Sequence, residues 1–472
     1  MSEAPVKAKL LFSLVALMLV PGCMVGPDFH APKPSLPASW VGVTDTREPT
    51  LAIAESRDLA RWWGQFNDAT LDGLIDEALK ENLSLAIGEA RLRQARALRG
   101  VAAAGLWPSA TITAGYQRQS GPPNTGGTPR NQYLAGLDAA WELDFFGGVR
   151  RGVESASANV EAAVEDLRDV QVSLVAEVAL DYVQLRGFQQ EIVTARNNLK
   201  VQEHTADITR KLHSVGFNSA LDVANAESTV ATTAAQIPVF ETGARQSIYA
   251  LSVLLGRHPG DLVERLSSPG EIPAMPGEVP AGLPSDLVRR RPDIREAEAQ
   301  LHSATAQIGV AVAQLFPQFS LTGGAGWQSS MFSTWFTPSN RSLFIGPSMA
   351  WPVFQGGATV SAIDAQKALR DQAFITYQQT VLTALQEVEN ALIAFAKEQE
   401  HHKSLGDAVA ADHKAVDLSL RLYREGQTDF LNVLTTQRTQ YADESALTQS
   451  SQNIATDLIA LYKALGGGWE VP

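Results

Sequence analysis

Four groups of residues in this 472-residue chain are of types that carry chemistry. Cys23 is the single cysteine, so it forms no internal disulfide and no zinc site with two cysteine ligands. It follows Val20, Pro21 and Gly22 at the end of an apolar run from Leu10, which Lys7 and Lys9 precede. That run falls short of the about 20 apolar residues of a membrane span and suits a secretion-signal core of about 7 to 15. A cysteine left first by cleavage after Gly22 is set up for acylation; the alternative is a small buried thiol. His401 and His402 are adjacent in a helical pattern and so diverge by about 100°, with His413 about three turns further on, which is no compact ligand set. Arg289, Arg290 and Arg291 precede Pro292, and Asp293 with Glu296 fits a capping box, so the run reads as a structural junction, with an anion site as the alternative. Gly323, Gly324 and Gly326 lie inside a strand pattern, where glycine eases curvature rather than cradling phosphate. No enzymatic constellation, metal site or cofactor site is expected from these groups.

The elements around them repeat. Leu106-Trp107-Pro108 recurs as Leu315-Phe316-Pro317, and Phe146-Gly147-Gly148 as Gln355-Gly356-Gly357, both at an offset of 209. The string from Leu212 to Val223 aligns with Leu422 to Val433, and Leu255-Gly256 with Leu465-Gly466, at 210. One duplicated protomer replaces the two or three globules that about 150 residues per domain would suggest. The expected organisation is a signal peptide at 1–22, an N-terminal extension at 23–57, a first repeat at 58–262 and a Pro/Gly-rich linker at 263–283. A second repeat at 284–468 and a tail at 469–472 complete it. Each repeat contains two segments of period two, expected as strands at 107–118, 132–145, 317–328 and 342–354. Their apolar positions include Ile112, Tyr116, Tyr133, Leu137, Trp141, Leu321, Trp327, Leu343, Ile345 and Trp351. Strands of about 9 to 11 residues with terminal aromatics suit an oblique bilayer crossing, the alternative being a soluble hairpin.

The remaining segments have helical period. Val160, Val164, Leu167, Leu174, Val178 and Leu185 share a heptad seam, as do Val381, Leu385, Val388, Leu392 and Phe395. Second seams through Val175 and Tyr182, and through Tyr377, Ala384 and Ala391, give each helix two neighbours. Neither 150–213 nor 358–424 contains proline, so each can run as one helix of about 90 to 100 Å. Turns at Gly216 and Gly426 then form helical hairpins, with residues 218–220 and Asp429 placed to cap the returning helices. Four strands cannot close in lipid, so other copies must complete them, as a dimer, a trimer or a larger ring. The composition agrees with a folded chain outside the nucleic-acid-binding class: 45% of residues are hydrophobic, and 51 acidic against 38 basic residues give a net charge of −13.

These motifs resemble the TolC-like outer membrane factor family, in its lipoprotein branch serving tripartite efflux pumps. The resemblance rests on residues 22–40 with Val25-Gly26-Pro27-Asp28-Phe29, on Trp62, Trp63, Phe66, Asp68 and Leu71, on Arg291-Pro292-Asp293-Ile294, and on the hairpin string 422–438. It implies a mainly α fold with a transmembrane β portion, a homotrimer with a twelve-stranded β-barrel and a twelve-helix tube, and no catalysis. It further implies a passive exit duct in the outer membrane, partnered by a periplasmic adaptor and an inner-membrane transporter of the resistance-nodulation-division type. Cys23 would be the lipid-bearing residue in outer-membrane lipid, and Met24 lacks the aspartate that retains lipoproteins in the inner membrane. Relatives often carry aspartates at the positions matching Asn432 and Thr435, at the periplasmic mouth; both are neutral in this chain. By that alignment Leu431 forms the constriction, with Arg438 and Asp222 as candidate inter-helix partners, while the plainer reading makes Leu431 coiled-coil core and Arg438 a solvated charge. Rival readings are a duct for protein secretion and a lipid-anchored periplasmic coiled-coil scaffold.

Overall fold

Alternation of apolar and small polar residues gives four strands: β1 (Ser109–Ser120), β2 (Pro129–Leu143), β3 (Gln318–Ser329) and β4 (Arg341–Ala350). The computed structural model describes residues 23–41, 51–52, 59–120, 129–273, 279–280 and 284–470, so the expected signal segment 1–22 lies outside the described residues. The strands form one antiparallel sheet in the order β1-β2-β3-β4, which joins the two sequence repeats at its centre through β2 and β3. β1 and β4 are its edges, and among the described residues neither has a second partner.

The helices of more than seven residues among the described residues are α1 (Ala69–Glu81), α2 (Leu83–Ala104), α3 (Gly148–Ser214), α4 (Ala220–Leu254), α5 (Pro292–Ala313), α6 (Ala358–Arg424) and α7 (Phe430–Ala464). α3 and α6 each contain 67 residues, about 100 Å at 1.5 Å per residue. None of the described helices is apolar enough to cross a membrane, which says nothing of a β-barrel.

Two compact units result, each assembled from parts of both sequence repeats. The first comprises Met1–Lys33, Arg91–Val164 and Glu296–Gln378 and holds the sheet; the second comprises Pro34–Ala90, Glu165–Arg295 and Gln379–Pro472 and is helical. The repeats are thus not the units, because α3 and α6 are each too long for a single core and contribute to both.

In the helical unit, much of the expected seams is interior: Leu174, Val175, Val178, Tyr182 and Leu185 are buried on α3, as are Val381, Ala384, Val388, Leu392 and Phe395 on α6. Leu385 is half-buried, as are Val160, Val164 and Leu167 farther back on α3, and Tyr377 is buried in the sheet-bearing unit. Trp62, Trp63 and Phe66 are buried, and Trp62 stacks on Tyr462 with ring centroids 5.0 Å apart. Asp68 explains its own place in the motif: one carboxylate oxygen accepts from Thr70 N and Leu71 N and caps α1, while the other accepts from Tyr182 Oη at 2.6 Å.

The duplication extends to individual bonds. Asn82 caps α2 and donates to the Leu254 carbonyl at 2.8 Å; 209 residues later, Arg291 precedes α5 and donates to the Ala464 carbonyl at 2.9 Å. Arg291 adds what asparagine cannot. Its guanidinium forks onto Asp293 at 3.0 and 2.7 Å and reaches Glu387 of α6 at 2.7 Å. The capping box expected at Asp293 is therefore not formed: Asp293 lies inside α5, its carboxylate is clamped by Arg291, and Glu296 accepts from Gln300 instead. Four of the five Arg291 donors are taken by protein acceptors, which leaves that side chain little capacity for an anion.

Arg291 should therefore behave as a clasp between α5, α6 and the end of α7. Arg291→Ala is expected to destabilise the helical unit by about 3 kcal/mol, because it strands Asp293 and Glu387, and Arg291→Lys should recover only part of this for lack of the planar fork. Thermal melts followed by far-ultraviolet circular dichroism in detergent check this; wild-type midpoints in both variants would contradict the clasp.

Candidate functional site

Strand register decides which residues share a face. Ile112 lies opposite Leu137, Leu137 opposite Ala325, and Ala325 opposite Leu343, so one apolar row crosses all four strands. Parallel rows on the same face run Ala114, Ala135, Trp327 and Ala110, Ala139, Gly323, Ile345. Among the described residues the middle of this face is open: Ile112 is 81% exposed, Leu343 84% and Ile345 79%, while Tyr133, Leu321 and Trp327 are half-buried. A face this apolar and this open marks a surface meant for a non-aqueous or protein neighbour. The opposite face carries Thr111, Thr113, Gln117, Gln132, Asp138, Glu142, Ser320 and Ser348, with Thr113 donating to Asp138 at 3.0 Å and Ser320 bonded to Ser348 at 2.7 Å.

Aromatic residues collect at both ends of the strands. Tyr116, Tyr133 and Trp335 form a chain with centroid separations of 4.9 and 5.5 Å, and Trp327 meets Phe336 at 5.7 Å. At the other end, Trp141 Nε1 donates to the Leu106 carbonyl and Trp351 Nε1 to the Leu315 carbonyl, both at 3.0 Å. Eight residues separate Tyr133 from Trp141, roughly 27 Å along a strand and about 20 Å once tilted, close to the about 25 Å apolar band of an outer-membrane barrel.

Two of the glycines of β3, Gly324 and Gly326, permit close approach. A Cβ on Gly326 would lie 2.5 Å from the Ala135 carbonyl oxygen and 2.8 Å from Gly136 Cα, and one on Gly324 would lie 2.5 Å from the Phe344 ring. The Gly136–Gly326 pair thus lets the central strands meet.

The segment after Cys23 is fastened to the base of this sheet. Cys23 itself is exposed, and Val25 N donates to the Phe146 carbonyl at 3.1 Å. Gly147, at φ +80°, leaves the space that Met24 occupies, and Gly26, at φ +89°, lies so close to Gly309 that a Cβ would stand 2.4 Å from its Cα. The buried Arg151 donates to the Val25 carbonyl at 3.1 Å, to Asp28 at 2.7 Å and to Glu154 at 2.7 Å. Its hydrogen bond and charge hold the Asp28 carboxyl below the usual carboxylate range. Phe29 stacks on His302 at 4.4 Å. Each position of the Val-Gly-Pro-Asp-aromatic motif except the proline therefore has a partner, although Arg151 and His302 carried no sequence signal of that role.

Both hairpin turns follow one geometry. Gly216 (φ +84°) and Gly426 (φ +71°) sit in the left-handed region, with Phe217 N donating to the Leu212 carbonyl and Gln427 N to the Leu422 carbonyl, the six-to-one bond of a Schellman turn. Ser219 caps α4 in a capping box completed by Asp222, whereas Asp429 occupies the cap position of α7 without a side-chain cap bond, contrary to expectation. The two hairpins share a core of Ala206, Ala226, Tyr423, Phe430, Val433 and Leu434. Above it, Asn218 donates to Tyr423 Oη at 2.6 Å and Gln437 to Thr205 at 2.8 Å.

Of the residues expected at the mouth, Leu431 is 66% exposed and so is not coiled-coil core within its own chain. Asn432 donates to Thr428 at 2.7 Å and Thr435 Oγ1 to the Leu431 carbonyl at 2.8 Å. Arg438 is exposed, and no bond joins it to Asp222, whose carboxylate accepts from Ser219. The three histidines have separate partners: His401 faces Glu398, His402 bonds Ser451, and His413 meets Glu444 and Gln440.

A sheet with one lipid-compatible face and one polar face, in a chain with two 67-residue helices, defines a protomer of the TolC-like outer-membrane channel class. Comparison with known proteins agrees. The model of the outer membrane efflux protein family matches residues 74–257 and 283–467, and the chain belongs to that family. It is 33% identical over 467 residues to nodulation protein T of Rhizobium leguminosarum bv. viciae, covering 98% of this chain and 94% of that protein. It is 34% identical over 472 residues to the antibiotic efflux pump outer membrane protein ArpC of Pseudomonas putida, covering 98% and 96%. Among solved structures, the outer-membrane channel OprN superposes with a TM-score of 0.89 at 38% identity, covering 95% of this chain and all of that one.

The close contact at Gly326 generates a test. Gly326→Ala should weaken the β2–β3 pairing by about 1 to 3 kcal/mol, since the obstructing atoms are backbone and cannot rotate away. Gly346→Ala, where a Cβ meets nothing within 4 Å, serves as control. Protease resistance of the sheet along a urea series reads the difference; equal resistance of the two variants would show the contact to be unimportant.

Proposed function

We propose that three copies of this chain close their sheets into a twelve-stranded outer-membrane barrel and their long helices into a periplasmic tube, forming the passive exit duct of a tripartite efflux pump. The observation that carries this reading is the sheet itself: an apolar outer face, a polar inner face and two unpaired edges. Antiparallel strands with that division are what a water-filled barrel in lipid requires. ArpC and its efflux-pump relatives support the pump assignment, and a passive duct needs a separate energy source. An inner-membrane transporter of the resistance-nodulation-division type supplies it, through a periplasmic adaptor.

In this reading the chain comprises a cleaved signal at 1–22, an acylated extension at 23–57, repeats at 58–262 and 284–468 joined by the linker 263–283, and a short tail. Cys23 carries lipid, and the bonds that Arg151 and Phe146 make to residues 25–28 hold it beside the aromatic residues at the sheet base. Leu431 forms the apolar constriction at the periplasmic mouth, with neutral Asn432 and Thr435 around it. Arg438, which has no partner among the described residues, pairs across a boundary between copies, where Asp222 is accessible only in competition with its capping bond.

Metabolic labelling with a radioactive fatty acid should mark the wild type and spare Cys23→Ser; equal labelling would defeat the anchor. In planar bilayers the purified chain should run as a heat-modifiable trimer and conduct, and Leu431→Ala or Arg438→Ala should raise single-channel conductance. Unchanged conductance in both variants would remove these residues from the mouth, and absence of both trimer and conductance would favour a scaffold over a duct.

A further inference from the structure

A cavity of about 390 Å³ in the helical unit lies between α3, α4 and α7, lined by Phe188, Glu191, Phe240, Ser445, Gln449 and Gln452. Two glycines make room for its walls. A Cβ on Gly187 would fall 2.0 Å from Gln452 Oε1, and one on Gly243 would fall 2.6 Å from the Phe188 ring. Glu191 is only 6% exposed, yet among the described residues its hydrogen-bond partner is the Ser445 hydroxyl alone, 3.0 Å from each carboxylate oxygen. A hydroxyl has a single hydrogen to give, while a carboxylate offers about four acceptor positions, so most of the Glu191 acceptor capacity is unfilled. Other buried acids of this chain are differently placed: Glu165, for example, is paired with Arg168 and Arg295.

We infer that this cavity is a binding site for an amphipathic organic cation, its ammonium group at Glu191 and its apolar body between Phe188 and Phe240. Size suits the class, since small-molecule sites begin at about 300 Å³ and are mostly apolar with a few placed polar groups. Charge suits it as well. A buried carboxylate without a counter-charge is costly, and a cationic ligand supplies both the charge and the missing donors. The neighbouring charges are committed elsewhere: Arg196 of α3 to Glu241 of α4 at 2.8 Å, and Glu444 of α7 to Asn198 of α3 and His413 of α6. Tyr441 of α7 is the titratable side chain that feels the Glu191 charge. Binding requires only these wall helices, whatever the assembled chain conducts.

Burial pushes the Glu191 carboxyl up to about 7, against the opposing hydrogen bond from Ser445. Protons and the cation then compete for one carboxylate, so affinity must fall as pH falls through that value.

The test uses the full chain in detergent and 1-naphthylmethylamine, protonated throughout pH 5.5 to 8, against its neutral counterpart 1-naphthylmethanol. Calorimetric titration at pH 8 should show the amine binding at least about tenfold more tightly than the alcohol, with that preference lost in Glu191→Gln. In the wild type, amine affinity should drop about tenfold or more between pH 8 and pH 5.5 while the alcohol is unaffected. Phe240→Ala should weaken both compounds and leave the pH dependence in place. Equal binding of amine and alcohol to the wild type, a pH-independent affinity, or a preference retained in Glu191→Gln would overturn the site. Should Glu191→Gln fail to fold, the wild-type pH dependence decides alone.

Discussion

Unpaired backbone at the two sheet edges is the constraint on which the remaining architecture depends. Strands β1 and β4 each offer outward backbone N–H and C=O groups, and in hydrocarbon every group left unsatisfied costs several kcal/mol. No rearrangement within one chain removes those edges, because the order β1-β2-β3-β4 places the first and last strands farthest apart. The apolar face that spans all four strands adds a second demand, since water is a poor neighbour for Ile112, Leu343 and Ile345. Under the proposed assembly, copies of the chain meeting edge to edge in a bilayer would answer both demands together.

Duplication supplies most of what the edges then need. Glycines in the left-handed region recur at 147 and 356, at 216 and 426, and at 256 and 466, so the repeat is written in backbone conformation as well as in residue type. The indole bonds of Trp141 and Trp351 repeat in the same way at the sheet base. Where the repeats differ, the difference is physical: Asn82 is a small cap, while Arg291 at the equivalent place gathers two carboxylates and a carbonyl into one clasp. Polar knots of this kind hold elements that period and propensity alone would leave free to slide.

Local features of this molecule were legible in the sequence and long-range ones were not. Period two marks the strands, the proline-free stretches mark α3 and α6, and Gly216 and Gly426 mark the turns, because each signal is contained in a few adjacent residues. Arg151 gave no such signal: its partner Asp28 is 123 residues away, and only the fold brings them together. The same holds for Phe29 on His302 and for Asn218 on Tyr423. Asp293 and Asp429 show the opposite failure. Each stands where capping rules apply, yet Arg291 captures the first and the second makes no cap bond at all. Glu191 escaped notice because a glutamate in a polar helix segment looks solvated until three helices enclose it.

The two hairpins are matched in length to the residue: 67 out and 35 back in each. Such parity restricts how the gene can change. Removing one heptad from a single hairpin would draw its tip back by about 10 Å, so that the core uniting Tyr423 and Phe430 with Ala206 and Ala226 could no longer form. Insertions and deletions in these arms are therefore admissible only as paired events, whole heptads gained or lost in both repeats at once, so that the duplicated arms must evolve in step as one ruler.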